Sequence, residues 1–173
     1  TFLKGDISTP AGVNNLIQAL PNNIDALCNV AGVSGTGGAA ITLAINFFGL
    51  KALSEGLAPK IRTGGSVINV ASMAGFGWRE NTQRASSIAK LEGFPDMDKV
   101  IEEFAIPNDL GYPISKEILL VWTMLAAHQE IFKSRHIRVN AVSPGPVETP
   151  ILTQFRQVLG DSRVDSDVDR VGR

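Results

Sequence analysis

The sequence predicts an α/β fold, a parallel sheet packed between helices, on three observations. Apolar runs of strand length alternate with longer stretches of helical periodicity. Each strand-length run closes on small or turn-forming residues. The chain has 173 residues, 44% hydrophobic and 19% charged, enough to bury a core as one domain. Strand–helix–strand units imply a parallel sheet covered on both faces, with ligands beyond the carboxyl ends of the strands. Polar residues just after each strand are therefore the first candidates for chemistry.

Taken in order, Thr1–Lys4 reads as the tail of a strand ending at Gly5-Asp6. Thr9-Pro10 supplies an N-cap and a first-turn proline for a helix over Ala11–Leu20. Ile24–Val30 is a short apolar run closed by Ala31-Gly32, the pattern of a buried strand. A long helix is expected over Ala39–Ile61, then a β-branched strand over Ser66–Val70 after Gly64-Gly65. Phe76–Asn108 breaks the rhythm, since a bare strand-to-helix connection takes only about 2–6 residues. It mixes charges with Phe76, Trp78, Phe94 and Phe104 and is expected to be a helical insertion. A second long helix follows over Tyr112–Lys133, and a last strand over Ile137–Val142 closes on Ser143-Pro144-Gly145.

Composition narrows the function classes. With 16 Lys+Arg against 17 Asp+Glu, the net charge of −1 removes the electrostatic case for nucleic acid or an anionic membrane as partner. Cys28 is the only cysteine, and His128 and His136 are the only histidines. An intrachain disulfide, a structural zinc site and a His-rich metal centre are therefore not expected. The apolar runs read as too short to span a bilayer, and no charged-then-apolar leader opens the chain. The expectation is a soluble, cytoplasmic, single-domain protein.

Tyr112 and Lys116 lie four residues apart, on one helix face. A free phenol titrates near 10, too high for ready proton exchange at neutral pH, and a nearby ammonium lowers it. Such a tyrosine serves as general acid or base for an alcohol or carbonyl. The same pair also fits a surface tyrosine beside a solvated lysine. Ser72, just after a strand, either bonds a substrate oxygen or caps a turn. Asn46, inside the apolar AAITLAINFFGL, is either a satisfied core asparagine or the mark of a backbone distortion or an ordered water. Asn29-Val30-Ala31-Gly32 allows close approach of a flat ligand or makes a tight turn. Asp6 caps the first helix or accepts from a ligand amine, and Pro144–Thr149 (PGPVET) follows the last strand.

In order, these pieces resemble the short-chain dehydrogenase/reductase family: Asp6, the N-x-A-G of Asn29–Gly32, Asn46, Ser72 in VINVAS, Tyr112-x-x-x-Lys116 and the P-G-x-V-x-T of Pro144–Thr149. The resemblance implies a Rossmann-like, doubly wound parallel sheet and a nicotinamide cofactor, with NAD and NADP both left open. The family's T-G-x-x-x-G-x-G fingerprint is absent, so the resemblance implies a partial chain lacking the first two strands and the last. It also implies roles for the residues. Tyr112 exchanges the substrate proton, Ser72 bonds the substrate oxygen, and Lys116 binds the nicotinamide ribose and depresses the tyrosine pKa. Asn46 holds a relay water. Asp6 and Ile7 meet the adenine, and Asn29, Ala31 and Gly32 its ribose. In the loop opened by Pro144 and Gly145, Val147 and Thr149 meet carboxamide and phosphate.

The long spacing between Ser72 and Tyr112 is similar to that of the insertion-bearing coniferyl alcohol dehydrogenases and bacterial 3α-hydroxysteroid dehydrogenase/carbonyl reductases. That resemblance implies a bulky, largely apolar alcohol or carbonyl as the small-molecule substrate. A homo-oligomer is expected, with the apolar Ile118–Ala127 as one contact face. A catalytically silent scaffold is the alternative, and the intact Asn46, Ser72, Tyr112 and Lys116 argue against it.

Overall fold

Helix α1 (Pro10–Ala19) starts where the Thr9 hydroxyl accepts from Gly12 N at 3.1 Å, in a computed structural model that describes residues 2–171. Thr9 is thus the cap, and Asp6 instead closes a local turn by accepting from Ser8 N at 2.8 Å. Of the strand expected over Thr1–Lys4, Thr1 lies outside the described residues, and Phe2, Leu3 and Lys4 form no strand. Phe2 is 89% exposed and pairs with no neighbouring backbone, and without a partner an extended segment has no ladder to join.

Three parallel strands form the sheet in the order β1 (Ile24–Asn29), β2 (Ile61–Val70), β3 (Arg138–Val142). Ala26, Leu27, Cys28 and Asn29 stand opposite Ser66, Val67, Ile68 and Asn69, which in turn face Arg138, Val139, Asn140 and Ala141. The regular part of β2 is the expected Ser66–Val70. Ahead of it the register shifts between Ile24 and Ala26, and Gly64 takes a φ of +79°, a left-handed conformation that suits glycine.

A single helix-like rod runs through Ala39–Lys60, 22 residues, between β1 and β2. It joins α2 (Ala39–Leu43), a π-helical segment (Ala44–Gly49), α3 (Leu50–Leu57) and a 3-10 turn (Ala58–Lys60). By length and composition it could span a bilayer, contrary to the expectation drawn from the apolar runs. Here its apolar side is taken up by protein: Leu43, Phe47, Phe48, Leu50 and Leu57 are all buried. Helix α6 (Gly111–Ala126) packs beside it, so tightly at the start that a Cβ on Gly111 would meet Ala39 Cα at 2.6 Å. Phe48, Phe47, Trp122 and Phe132 form an edge-to-face chain with centroids 4.8, 6.4 and 6.4 Å apart. Such contacts add about 0.5–1.5 kcal/mol each beyond area burial.

Between β2 and α6 lie a 3-10 helix (Met73–Trp78), α4 (Thr82–Ala89), α5 (Met97–Glu103) and a short turn at Asn108–Leu110. Ala85, Ile88, Ala89, Val100 and Ile106 of this stretch belong to the main hydrophobic cluster, and Phe94 lies 6.2 Å from Phe48. Helix α7 (Glu130–Lys133) leads into β3, and α8 (Pro150–Leu159) and α9 (Asp161–Val171) form the C-terminal pair.

Burial alternates along the strands. Leu27, Asn29, Val67, Asn69 and Val139 point to the helices, while Ala26, Cys28, Asn140 and Val142 are exposed on the other face. Cover on both faces was expected, but among the described residues the sheet is covered on one. Successive right-handed crossovers in one direction place every connecting helix on the same side, and the order β1-β2-β3 has no reversal to change it. A polar seam holds the covered face. Asn29 Nδ2 donates to Ser54 Oγ at 2.7 Å and to Asn69 Oδ1 at 2.8 Å, and Asn69 Nδ2 donates to Thr123 Oγ1 at 2.9 Å.

Candidate active site

Four polar side chains converge where β1 and β2 end. Asn46 sits in the π-helical segment, the backbone distortion that its place in an apolar run allowed for. Fully buried, its side chain grips the loop after β1: Oδ1 accepts from Val33 N at 2.8 Å and Nδ2 donates to Val33 O at 2.9 Å. Nδ2 also reaches Ser115 Oγ at 3.3 Å. Lys116, one residue on, is 5% exposed and donates from Nζ to Val70 O at 2.8 Å, across the end of β2. Nζ lies 5.7 Å from the centre of the Tyr112 ring. Two residues past β2, Ser72 caps the 3-10 helix, its Oγ accepting from Ala74 N at 3.1 Å.

Burial decides the electrostatics. Loss of water raises the Tyr112 phenol above its ordinary value, and the nearby Ser72 hydroxyl offsets part of this. Burial also lowers Lys116 to about 8. The sequence suggested that Lys116 pulls the phenol down. In this geometry desolvation dominates the phenol, and the ammonium is engaged with the Val70 carbonyl.

The expected cofactor residues divide into two groups. Ala31 and Gly32 lie exposed at the end of β1, and a Cβ on Gly32 would meet Asn46 Oδ1 at 3.2 Å and Lys116 Nζ at 3.8 Å. Pro144, Val147 and Thr149 are exposed beyond β3, with Gly145 half-buried between them. Asp6 is exposed, and Ile7 presses its carbonyl against Gly49. Asn29 differs: its side chain is turned into the sheet–helix seam, so only its backbone is available at the strand end.

Besides Phe155, whose place beyond the P-G loop already fitted a bulky apolar substrate, several residues at the site escaped the sequence reading. Gly35 takes a φ of +98° and lies so close that a Cβ would come within 3.2 Å of Tyr112 Cβ. Asn108 caps α2 from a distance, accepting from Ala39 N at 2.9 Å. From α8, Phe155 covers Tyr112 edge-to-face at 4.6 Å, and Gln154 accepts from the buried Ser34 hydroxyl at 2.8 Å. Glu117 could have been noticed as a charge inside an apolar helix. Gly35, Asn108 and Gln154 carry no local signal, because their roles come from contacts across the fold. No cluster of His, Cys, Asp and Glu able to hold a metal occurs among the described residues.

No family model matches the chain. It is 37% identical over 172 residues to a coniferyl-alcohol dehydrogenase of Pseudomonas sp. (strain HR199), covering 99% of this chain and 67% of that protein. It is 28% identical over 175 residues to the short-chain dehydrogenase/reductase ABA4 of Pyricularia oryzae, covering 92% of this chain and 54% of that one. Among solved structures, the 3-alpha-hydroxysteroid dehydrogenase from Pseudomonas sp. B-0831 complexed with NADH matches with a TM-score of 0.72 and 28% identity, over 95% of this chain and 66% of that one. A short-chain dehydrogenase from Burkholderia cenocepacia J2315 in complex with NADP matches in fold, with a TM-score of 0.64 at 19% identity, over 99% and 62%. The chain thus spans between about half and two thirds of these relatives' length. With the identity to the Pseudomonas enzyme extending over almost all of its residues, this chain belongs to the short-chain dehydrogenase/reductase family.

Proposed function

We propose that the protein is an NAD(P)-dependent oxidoreductase that interconverts a bulky, largely apolar alcohol and its aldehyde or ketone, with an aromatic alcohol such as coniferyl alcohol or a 3α-hydroxysteroid as substrate. The observation that carries this reading is the meeting of Tyr112, Ser72, Lys116 and Asn46 at the strand ends, in a chain 37% identical to a coniferyl-alcohol dehydrogenase.

The residues present fit a nicotinamide dinucleotide. Exposed small residues at Ala31 and Gly32 and the exposed loop at Pro144, Val147 and Thr149 offer backbone and apolar surface beside Lys116, where any side chain on Gly32 would crowd Asn46. The cofactor supplies or takes the hydride. Tyr112 Oη gives up or receives the proton of the substrate oxygen. Ser72 Oγ hydrogen-bonds the same oxygen and shares the charge that develops on it. Lys116, with a pKa of about 8, is mostly charged at neutral pH and favours the phenolate as the proton moves. Asn46 spends its side chain on Val33 and Ser115, so a relay water would be held by backbone carbonyls of the π-helical segment. Phe155 gives the substrate pocket an aromatic wall above Tyr112. A cytoplasmic homo-oligomer is proposed on the family resemblance alone.

In the active protein, Tyr112→Phe is expected to lower turnover by at least about a hundredfold while cofactor affinity stays within about twofold. Steady-state rates with coniferyl alcohol and a 3α-hydroxysteroid, alongside cofactor titration, test this. Substantial activity without the phenol would remove Tyr112 from proton transfer.

A further inference from the structure

Glu117 follows Lys116 on α6, and its side chain is buried, with only 8% of it exposed. One carboxylate oxygen accepts from Asn81 Nδ2 at 3.1 Å and the other pairs with Arg84 Nη2 at 3.2 Å. Both partners lie in the segment between Ser72 and Tyr112. Two glycines bring that segment onto the helix. A Cβ on Gly77 would sit 2.6 Å from Glu117 Oε1, and one on Gly75 would sit 2.9 Å and 3.0 Å from the Lys116 carbonyl carbon and oxygen. Both glycines belong to the 3-10 helix Met73–Trp78, whose N-cap is Ser72.

We infer that Glu117 is a positioning residue: by holding Asn81 and Arg84 it seats the Met73–Trp78 turn on α6 and thereby sets the Ser72 hydroxyl against the Tyr112 phenol. A buried carboxylate costs desolvation, and here both of its oxygens are engaged. The register it imposes joins the two side chains that share the substrate oxygen. Glutamine can keep the Asn81 contact at the same length, whereas alanine loses both contacts and frees Arg84, already partly exposed, to swing into solvent. The inference rests on the reading of Tyr112 and Ser72 as the acid–base pair.

The test compares Glu117→Ala, Glu117→Gln and Arg84→Ala with wild type and Tyr112→Phe in the active protein, reading kcat, KM, cofactor Kd and phenolate absorbance. Subtracting the Tyr112→Phe titration isolates the Tyr112 phenolate signal. Glu117→Ala is expected to lose between about tenfold and a hundredfold in kcat, the scale of a small displacement of a reacting group. Cofactor Kd should stay within twofold, Glu117→Gln should recover most of the rate, and Arg84→Ala should fall between. The phenol of Glu117→Ala should titrate higher than in wild type, as Ser72 withdraws. Mere removal of a negative charge would move it lower, and that direction would overturn the inference. So would wild-type kcat in Glu117→Ala. A collapse of cofactor binding in step with kcat would mean a general structural role and overturn it too. If Tyr112→Phe itself stays active, the acid–base reading has failed, a result separate from these.

Discussion

Lys116 shows how burial of one side chain couples its protonation to stability. In the unfolded chain it titrates at the ordinary 10.5 and in the fold at about 8, so between those values the unfolded state holds more protons. Stability should therefore rise with pH across this window, by at most about 3 kcal/mol. Tyr112 is shifted upward and holds its proton longer in the fold, so it opposes this trend only above about pH 10. Denaturant unfolding at pH 8 and pH 10 should show wild type gaining stability, while Lys116→Met, which cannot titrate, gains little. Equal gains in both would mean that Lys116 is not the group responsible. At this scale the pairing was legible: Tyr112 and Lys116 share one face of α6, as their four-residue spacing implied, and Ser72 follows β2. Asn29 was only half legible, because its side chain is drawn sideways by Ser54 and Asn69, which no local pattern reveals.

At the scale of elements, the π-helical segment ties the rod Ala39–Lys60 to the loop after β1. Asn46 satisfies both the N–H and the carbonyl of Val33, so Asn46→Ala leaves two backbone groups without their partner. The expected cost is about 1–3 kcal/mol for each that stays dry, seen as a lower urea midpoint. A change under about 0.5 kcal/mol would show that water replaces the side chain. Most helix and strand positions were readable here because periodicity and turn residues are local, but the helix expected over Tyr112–Lys133 breaks after Ala126 and resumes only at Glu130. Ser66–Val70 matched the regular part of β2, and Thr9 capped α1. The strand expected at Thr1–Lys4 failed for a non-local reason, since a strand exists only where a neighbour pairs with it.

For the whole molecule, the order of the strands has the widest consequence. One face of the sheet carries the core; on the other, among the described residues, Val142 at the end of β3 is 49% exposed, and Val30, just past the end of β1, is 66% exposed. Exposed apolar surface favours association. Val30→Lys with Val142→Lys should therefore reduce any self-association through this surface, as read by light scattering. Unchanged association would place the contact elsewhere, with Phe2, Phe76 and Val147 the next exposed apolar residues to test.

The family, the parallel α/β class and the order of the chemical residues were all present in the linear chain. Each depends on residue type, on short spacings and on period, which are local. Contacts across the fold decided the rest. Burial set the direction of the Tyr112 and Lys116 shifts, and crossover handedness left one face of the sheet open. Packing placed Phe155 over the phenol and brought Glu117 against Arg84, pairs far apart in the chain. Desolvation and packing are properties of the assembled interior, and no stretch of sequence contains them before it folds.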